Sequence, residues 1–365
     1  MDLQLLDKTL ADRGEPRFRA GQVWAWAARG AGGYQQMTDV PASLRETLAR
    51  ELPFSSLALR AQTRARDGTV KALFATADEH PLEAVLMRHP APPAKRDQTR
   101  PSAGRSSICL SSQSGCPLSC TFCATGRMRF GRNLSASEIL DQALHFHRLQ
   151  GPTPGVRPAP GGPARVPAPI THCVFMGMGE PMLNLENVLA ACERLPDIGI
   201  THRRTAISTV GWIPGIERLA EQDMPLRLAF SLHAAEETLR SELMPVNERF
   251  PLSDVLEACR AFHARKRRRV LVEYVMLAGI NDRYEQALAL AKALSRGPAQ
   301  EPPIFKVNLI PYNPTASDHG YRGSTPESIA SFRAVLEGRR IPTTIRLTRG
   351  REIDAACGQL AARAG

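Results

Sequence analysis

Cys109-Leu-Ser-Ser-Gln-Ser-Gly-Cys116-Pro-Leu-Ser-Cys120-Thr-Phe-Cys123 is the stretch on which the reading of this chain turns. Three residues separate Cys116 from Cys120, and two separate Cys120 from Cys123. Spacing this short lets three thiolates converge on one inorganic centre, and no fourth protein ligand is evident. Structural zinc ordinarily takes four protein ligands, commonly two separated pairs, and there is no second pair. An iron–sulfur cluster held by thiolates fits better. A [4Fe–4S] cluster on three cysteines keeps one iron open to bind and activate a ligand. Free cysteines also pack in cores, but the small and polar residues Gly115, Ser119 and Thr121 point to a loop instead.

The surrounding chain is that of an ordinary globular protein. Its 365 residues are 43% apolar and 23% charged, enough for one large domain or two smaller ones. No apolar run approaches a membrane span. The start, Met-Asp-Leu-Gln-Leu-Leu-Asp-Lys, lacks a basic region followed by an apolar one. Eight clustered cysteines in a chain this long suggest metal and redox chemistry in a reducing compartment rather than a disulfide scaffold. The expected location is the cytoplasm, with no membrane partner. Lys and Arg number 47 against 36 Asp and Glu, a net charge of +11. That excess favours a polyanion, since basic side chains that neutralise phosphates release counterions. A solubility charge or a compositional bias would give the same number. The densest run, Lys266-Arg-Arg-Arg269, precedes the strand-like Val270–Met276 and reads as a solvated helix end.

Residues 1–55 read as helical, with Trp24 and Trp26 on an apolar face and a helix start at Pro41-Ala-Ser-Leu. Residues 56–106 read as a β extension and linker. Asp67-Gly68 between alternating segments is a hairpin signal, and Leu82–Met87 is a strand carrying Glu83. A lone Glu on such a strand ordinarily lies on its solvent face. The basic, Pro-rich stretch 89–105 reads as an exposed loop. Across 107–350, short β-like runs alternate with amphipathic helices. Strands are expected at Ser107–Leu110, His172–Met176, Arg204–Ser208, Arg227–Ser231, Val270–Met276 and Phe305–Ile310. Helices are expected at Ala136–Leu149, Leu185–Arg194, Ile216–Glu221, Leu252–Arg265 and Tyr284–Leu294. Repeated strand–helix units imply an α/β fold with a parallel sheet, its motifs at the strand ends. Within it, 151–169 is Pro-, Gly- and Ala-rich and reads as a mobile insertion. Residues 351–365 form a C-terminal segment.

The cysteine spacing, with Phe122 before the third cysteine, resembles the signature of the radical S-adenosylmethionine enzymes. The likeness narrows with Gly177-Met-Gly-Glu180-Pro-Met-Leu-Asn184, Ser231-Leu-His233, Asn308-Leu-Ile-Pro-Tyr-Asn313-Pro and Ile353-Asp-Ala-Ala-Cys357-Gly-Gln-Leu360. In that order, from about Arg17 to the C-terminus, they resemble the RlmN/Cfr family of RNA methyltransferases, which methylate adenine carbons. The resemblance implies a partial (β/α)6 barrel with a small helical N-terminal domain that helps engage RNA. It implies a [4Fe–4S] cluster on Cys116, Cys120 and Cys123, and two molecules of S-adenosylmethionine per turnover. Gly179, Glu180, Ser208, Ser231, Leu232, His233 and Asn313 match cofactor-contacting positions. Taken alone, a Gly-x-Gly is most often a turn and a single His a satisfied core residue.

In the family's chemistry one S-adenosylmethionine methylates the thiolate matching Cys357. A second yields a deoxyadenosyl radical that takes hydrogen from that methyl group. The carbon radical adds to the adenine, and the thiol matching Cys109 then attacks the Cys357 sulfur. A transient disulfide forms and the methylated RNA is released. Glu83 matches the proton acceptor. Thiolate attack and exchange are ordinary for accessible cysteines, whereas an sp² amidine carbon does not attack a sulfonium methyl. The target adenine must be unstacked. Cys173, Cys192 and Cys259 lie in apolar settings and read as core. The implied partners are 23S ribosomal RNA, also transfer RNA for some relatives, and an electron donor such as flavodoxin or ferredoxin. Carbon 2 is the expected target. Carbon 8, as in the antibiotic-resistance branch, and a radical enzyme on a non-RNA substrate are the alternatives. The loops 89–105 and 151–169 and the pair Gly211-Trp212 depart from the family pattern.

Overall fold

The computed structural model describes residues 1–90, 104–150, 169–295, 303–314 and 320–361. Three helices open the chain: α1 (Leu3–Ala11), α2 (Phe18–Ala28) and α3 (Ala42–Glu51). Trp24 and Trp26 are both buried, as the apolar spacing of α2 implies. Trp24 Nε1 donates to Asp197 (2.7 Å), which ties the helical unit to the barrel. α3 starts where expected, although Pro41 supplies no side-chain cap.

A ten-stranded sheet follows. Its first strands, β1 (Leu57–Arg64), β2 (Val70–Thr76), β3 (Pro81–His89) and β4 (Arg105–Cys109), are antiparallel neighbours. The Asp67-Gly68 hairpin is present, with the Thr69 amide donating to Asp67 Oδ1 (2.9 Å). The β extension is continuous with the barrel sheet, because β3 pairs along β4. His89 and Arg105, expected in a loop, are paired strand ends; 91–103 lies outside the described residues.

A small ribbon, β5 (Gln113–Ser114) with β6 (Arg132–Asn133), brackets the cysteine loop. Then come α4 (Ala136–Leu149), β7 (His172–Phe175), α5 (Leu185–Arg194), β8 (Thr205–Thr209), α6 (Ile213–Glu221) and β9 (Arg227–Ser231). They are followed by α7 (Glu237–Leu243), α8 (Leu252–Lys266), β10 (Val270–Met276), α9 (Tyr284–Leu294), β11 (Phe305–Pro311), α10 (Pro326–Gly338) and β12 (Thr343–Ile345). Strands β4, β7, β8, β9, β10, β11 and β12 run parallel in that order.

The six expected parallel strands are therefore present, with small shifts at their ends. A seventh, β12, is only three residues long, too short to leave a pattern in the sequence. α4 carries a full capping box between Ser135 and Glu138, which fixes where the helix begins. α6 begins at Ile213 rather than Ile216, because Pro214 in its first turn suits a helix start. The expected insertion at 151–169 lies, up to 168, outside the described residues. Cys173, Cys192 and Cys259 are fully buried in the core. The run at Lys266 is a helix end: Arg267 takes a left-handed φ of 54°, so α8 stops there. Among the described residues no helix is long and apolar enough to cross a membrane.

Candidate active site

The C-terminal ends of the parallel strands open onto one cleft of about 970 Å³, solvent at its mouth included. Cys116, Cys120 and Cys123 line it together. The loop that carries them is a run of tight turns, with Cys120 N donating to Leu118 O (2.9 Å) and Gly126 N to Cys123 O (3.1 Å). Burial pushes the Cys116 thiol up to about 12 and those of Cys120 and Cys123 upward, and neighbouring thiols add to the effect. Among the described residues no three His, Cys, Asp or Glu side chains gather around a single ion. One zinc would need its sulfurs at about 2.3 Å from a common point. Three cysteines of one tight loop that line one cleft suit a cluster held by thiolates.

Facing the cysteines are Gly179, Glu180, Ser208, Ser231 and His233. Gly179 has φ +95°, and a Cβ there would sit 2.5 Å from Gln113 Cβ, so only glycine fits. Glu180 is 3% exposed and accepts from the amides of Met182 (3.1 Å) and Val210 (3.0 Å). Burial pushes its carboxyl up to about 7 against those bonds and one from Thr209. Ser208 and Ser231 touch through their hydroxyls (3.2 Å). His233 Nδ1 accepts from Val275 N (3.0 Å), which puts the ring proton on Nε2. Burial, then Arg240, lowers His233 to about 3, so the ring is neutral. Leu232 is not in the lining of this cleft; its side chain is fully buried in the core.

A second, smaller cavity of about 510 Å³ adjoins the first. Cys109, Asn313 and Cys357 line it, and Asn313 Oδ1 is buried with no hydrogen-bond partner among the described residues. Met176, Ile310, Arg346 and Cys357 line both cavities, so Cys357 stands in the wall between them. Cys109 ends β4 opposite Val85 and Val174. Burial, then Cys357, pushes its thiol up to about 12, and Arg346 opposes this.

The Cys357 segment is pinned by main-chain bonds. Ala124 N donates to Gly358 O (2.9 Å), Thr125 Oγ1 to Leu360 O (2.6 Å), and Gln359 Nε2 to Pro314 O (2.7 Å). The cysteine loop thus holds the tail directly. Glu83 is buried, not on a solvent face, and lines neither cavity. Its carboxylate pairs with Lys71 (3.0 Å) and accepts from Ala361 N (3.0 Å).

Three residues escaped the sequence reading. Arg346, just past β12, reaches Glu273 (3.3 Å) and the Met176 sulfur (3.3 Å) between the two cavities. Cys357 first, and Glu273 after it, hold Arg346 firmly protonated. Glu273, on buried β10, also accepts from Asn308 (2.8 Å). A carboxylate inside the run Val-Leu-Val-Glu-Tyr-Val-Met was a usable signal; the arginine left none. Arg240 of α7 is fully buried. It donates to Asn247 Oδ1 (2.7 Å) and Val210 O (2.6 Å) and lies over the Phe230 ring. Among the described residues no carboxylate forms an ion pair with it. The departure at Gly211-Trp212 is a packing feature: Trp212 stacks edge-on against Phe250 and beneath Arg249.

Two family models match the chain: the ribosomal RNA large subunit methyltransferase N-terminal domain over residues 1–52, and the radical SAM superfamily over 164–291. A probable dual-specificity RNA methyltransferase RlmN of Thermus thermophilus is 41% identical over 98% of this chain and 92% of its own length. The chain belongs to the RlmN family of radical S-adenosylmethionine methyltransferases. The RlmN of Chloroflexus aurantiacus is 42% identical over 99% of this chain and 92% of its own. A radical SAM methyltransferase from Sphaerobacter thermophilus superposes with a TM-score of 0.84 at 37% identity, covering 100% of this chain and 98% of the other. RlmN enzymes, as radical SAM proteins, use a [4Fe–4S] cluster and S-adenosylmethionine.

Proposed function

We propose that this chain methylates carbon 2 of an adenine in large-subunit ribosomal RNA, and in transfer RNA, by way of a methyl group carried on Cys357. The observation that carries the reading is the position of Cys357 in the wall shared by the cysteine-lined cleft and the cavity that holds Cys109. When bound, the cluster and S-adenosylmethionine supply an electrophilic methyl group and, after one-electron reduction, a hydrogen-abstracting carbon radical. Cys116, Cys120 and Cys123 hold the cluster, while Gly179, Glu180, Ser208, Ser231 and His233 orient the cofactor. Cys357 receives the methyl group from the cofactor side and presents it to the base from the other. Asn313, whose buried carbonyl oxygen has no hydrogen-bond partner among the described residues, offers an acceptor in the lining of the second cavity.

Cys109 releases the product: its thiolate bonds to the Cys357 sulfur as the bond from that sulfur to the transferred carbon breaks. The bonding pair stays with the carbon, which takes up a proton to become the methyl group, and an external dithiol reduces the resulting disulfide before the next turnover. Arg346 lines the wall beside Cys357 and opposes the rise of the Cys109 thiol. Glu83 is the proposed proton acceptor. Its present bond to Ala361 N must open for it to reach a base, so the role requires movement of the tail. The names of the relatives, dual-specificity RNA methyltransferases, support the substrates.

The test is Cys109→Ala protein made with its cluster intact. Denaturing electrophoresis and mass spectrometry should find RNA attached through Cys357 at an adenosine. Cofactor cleavage with RNA present but without any adduct would overturn the assigned roles of the two cysteines.

A further inference from the structure

The barrel end opposite the cleft carries a row of arginines that the chemistry does not use. Arg105 opens β4, Arg203 and Arg204 immediately precede β8, Arg227 opens β9, and Arg268 and Arg269 precede β10. Register sets Arg204 level with His172 and Arg269 level with Arg227, with Arg105 two residues to one side of the level of Arg204 and Arg227 two residues to the other. Ser107 pairs with His172, Cys173 with Thr205, Ala206 with Arg227, and Leu271 with Ala229. With strands about 4.8 Å apart, the row crosses five strands and roughly 19 Å. All but Arg268 are exposed, and among the described residues none of the six forms an ion pair.

Their charges reinforce one another. His172, in the middle of the row, is lowered to about 4 by burial and then by Arg105, Arg204 and Arg227. Arg268 is lowered by burial and then by Arg203 and Arg227. The charged groups acting on His172 and Arg268 are arginines and His89, while Asp223 acts on Lys266 beside the row. Helix C-termini also end on this face and attract bases, but that effect fades beyond the last turn. Arg203 and Arg204 close a single 3₁₀ turn (His202–Arg204), and Arg268 and Arg269 follow the end of α8, but Arg227 lies six residues past α6 and Arg105 follows no helix. The helix dipole therefore does not account for Arg105 or Arg227.

We propose that this row is a second RNA-docking surface, which grips the phosphate backbone of a segment other than the one presenting the target adenine. The proposal rests on the RNA reading above. Five parallel strand ends separate the row from the cleft, and β8 alone, five residues long, spans roughly 16 Å at about 3.3 Å per residue. A stem seated at the cleft has no path through the filled barrel, so the phosphates met here belong to another part of a large RNA. An acidic redox partner fits this face poorly, because direct electron transfer to the cysteine loop decays exponentially over that span. Guanidinium forks suit phosphate oxygens in pairs.

The experiment compares wild-type holoenzyme with R203Q/R204Q/R227Q on a full-length transcript of large-subunit ribosomal RNA. Binding is measured across 50–200 mM salt, and methyl transfer at saturating RNA. Each lost phosphate contact lowers the log–log salt slope by about 0.7–0.9, so the triple variant should lose about 2–3 and R227Q alone somewhat under 1. The saturated rate should stay within about twofold, and the melting temperature unchanged, since these side chains are exposed and unpaired. An unaltered slope overturns the proposal, including the case in which the row instead captures an acidic protein. A fall in the saturated rate matching the loss of binding would also overturn it, by assigning these arginines to the catalytic end. Wild-type enzyme that methylates no RNA would defeat the functional reading itself, and this proposal with it.

Discussion

Arg240→Met should make the cluster harder to reduce. Arg240 is a fully buried cation whose hydrogen bonds go to neutral acceptors, Asn247 Oδ1 and Val210 O. Burial lowers it to about 10, and Cys120, then Glu237, pull the other way, so it stays charged at neutral pH. Buried charges persist where something opposite faces them, and the first such group is a cysteine of the cluster loop. Adding an electron to a cluster on Cys120 is therefore favoured by this arginine. Taking roughly 8 Å and an effective dielectric of about 20, one unit charge contributes about 2 kcal/mol. At about 59 mV per tenfold change for one electron, that is a potential roughly 50–100 mV more negative in the variant. The assay is a redox titration of the reconstituted cluster followed by electron paramagnetic resonance, with iron content measured in parallel. Arg240→Lys, which keeps the charge but loses the fork, should recover most of the shift. An unchanged potential in Arg240→Met protein with a full complement of iron would refute the reasoning and leave the residue as a brace for the Val210 carbonyl.

Two further outcomes follow from the cofactor wall. Gly179→Ala must place a methyl group 2.5 Å from Gln113 Cβ at φ +95°; left-handed strain and overpacking together cost roughly 2–5 kcal/mol. Denaturant unfolding should show that loss and calorimetry a weaker affinity for S-adenosylmethionine, while wild-type values in both would contradict the packing argument. Glu180→Gln should flatten the pH dependence of stability in cofactor-free protein. The folded carboxyl, at about 7, keeps a proton that the unfolded chain releases from about 4.5 upward. Its contribution is thus full below about 4.5 and lost as pH rises to about 7. Across that window the wild type should lose up to about 3 kcal/mol relative to the variant, and parallel curves would show that Glu180 is not so perturbed.

The alternation of strand and helix signals placed the parallel strands because each is a buried apolar run bounded by turn chemistry. The cysteine loop was legible because its ligands are local in sequence. Taken alone, Glu83 reads as solvent-facing because period-2 patterning reports the two faces of a strand, not what later covers one of them. Here the covering element is the C-terminal tail, 278 residues away. Arg346 was missed for a related reason, since β12 offers only three residues of pattern. Arg240 hid in a polar-looking helix, Glu-Thr-Leu-Arg-Ser-Glu-Leu, whose arginine faces inward.

By itself, then, the sequence determined the α/β class, the three-cysteine loop and the order of the motifs, all of which depend on spacing along the chain. Only the tertiary structure decided which motifs share a wall. Cys109 and Cys357 lie 248 residues apart in the numbering, yet both line one cavity, because parallel pairing carries β4 into the middle of the sheet and bonds from the Ala124 amide and the Thr125 hydroxyl to main-chain carbonyls fold the tail over the strand ends. Hydrogen bonds to main-chain carbonyls leave no trace in residue identity, and that is why the wall between the two cavities could be seen only once the chain was folded.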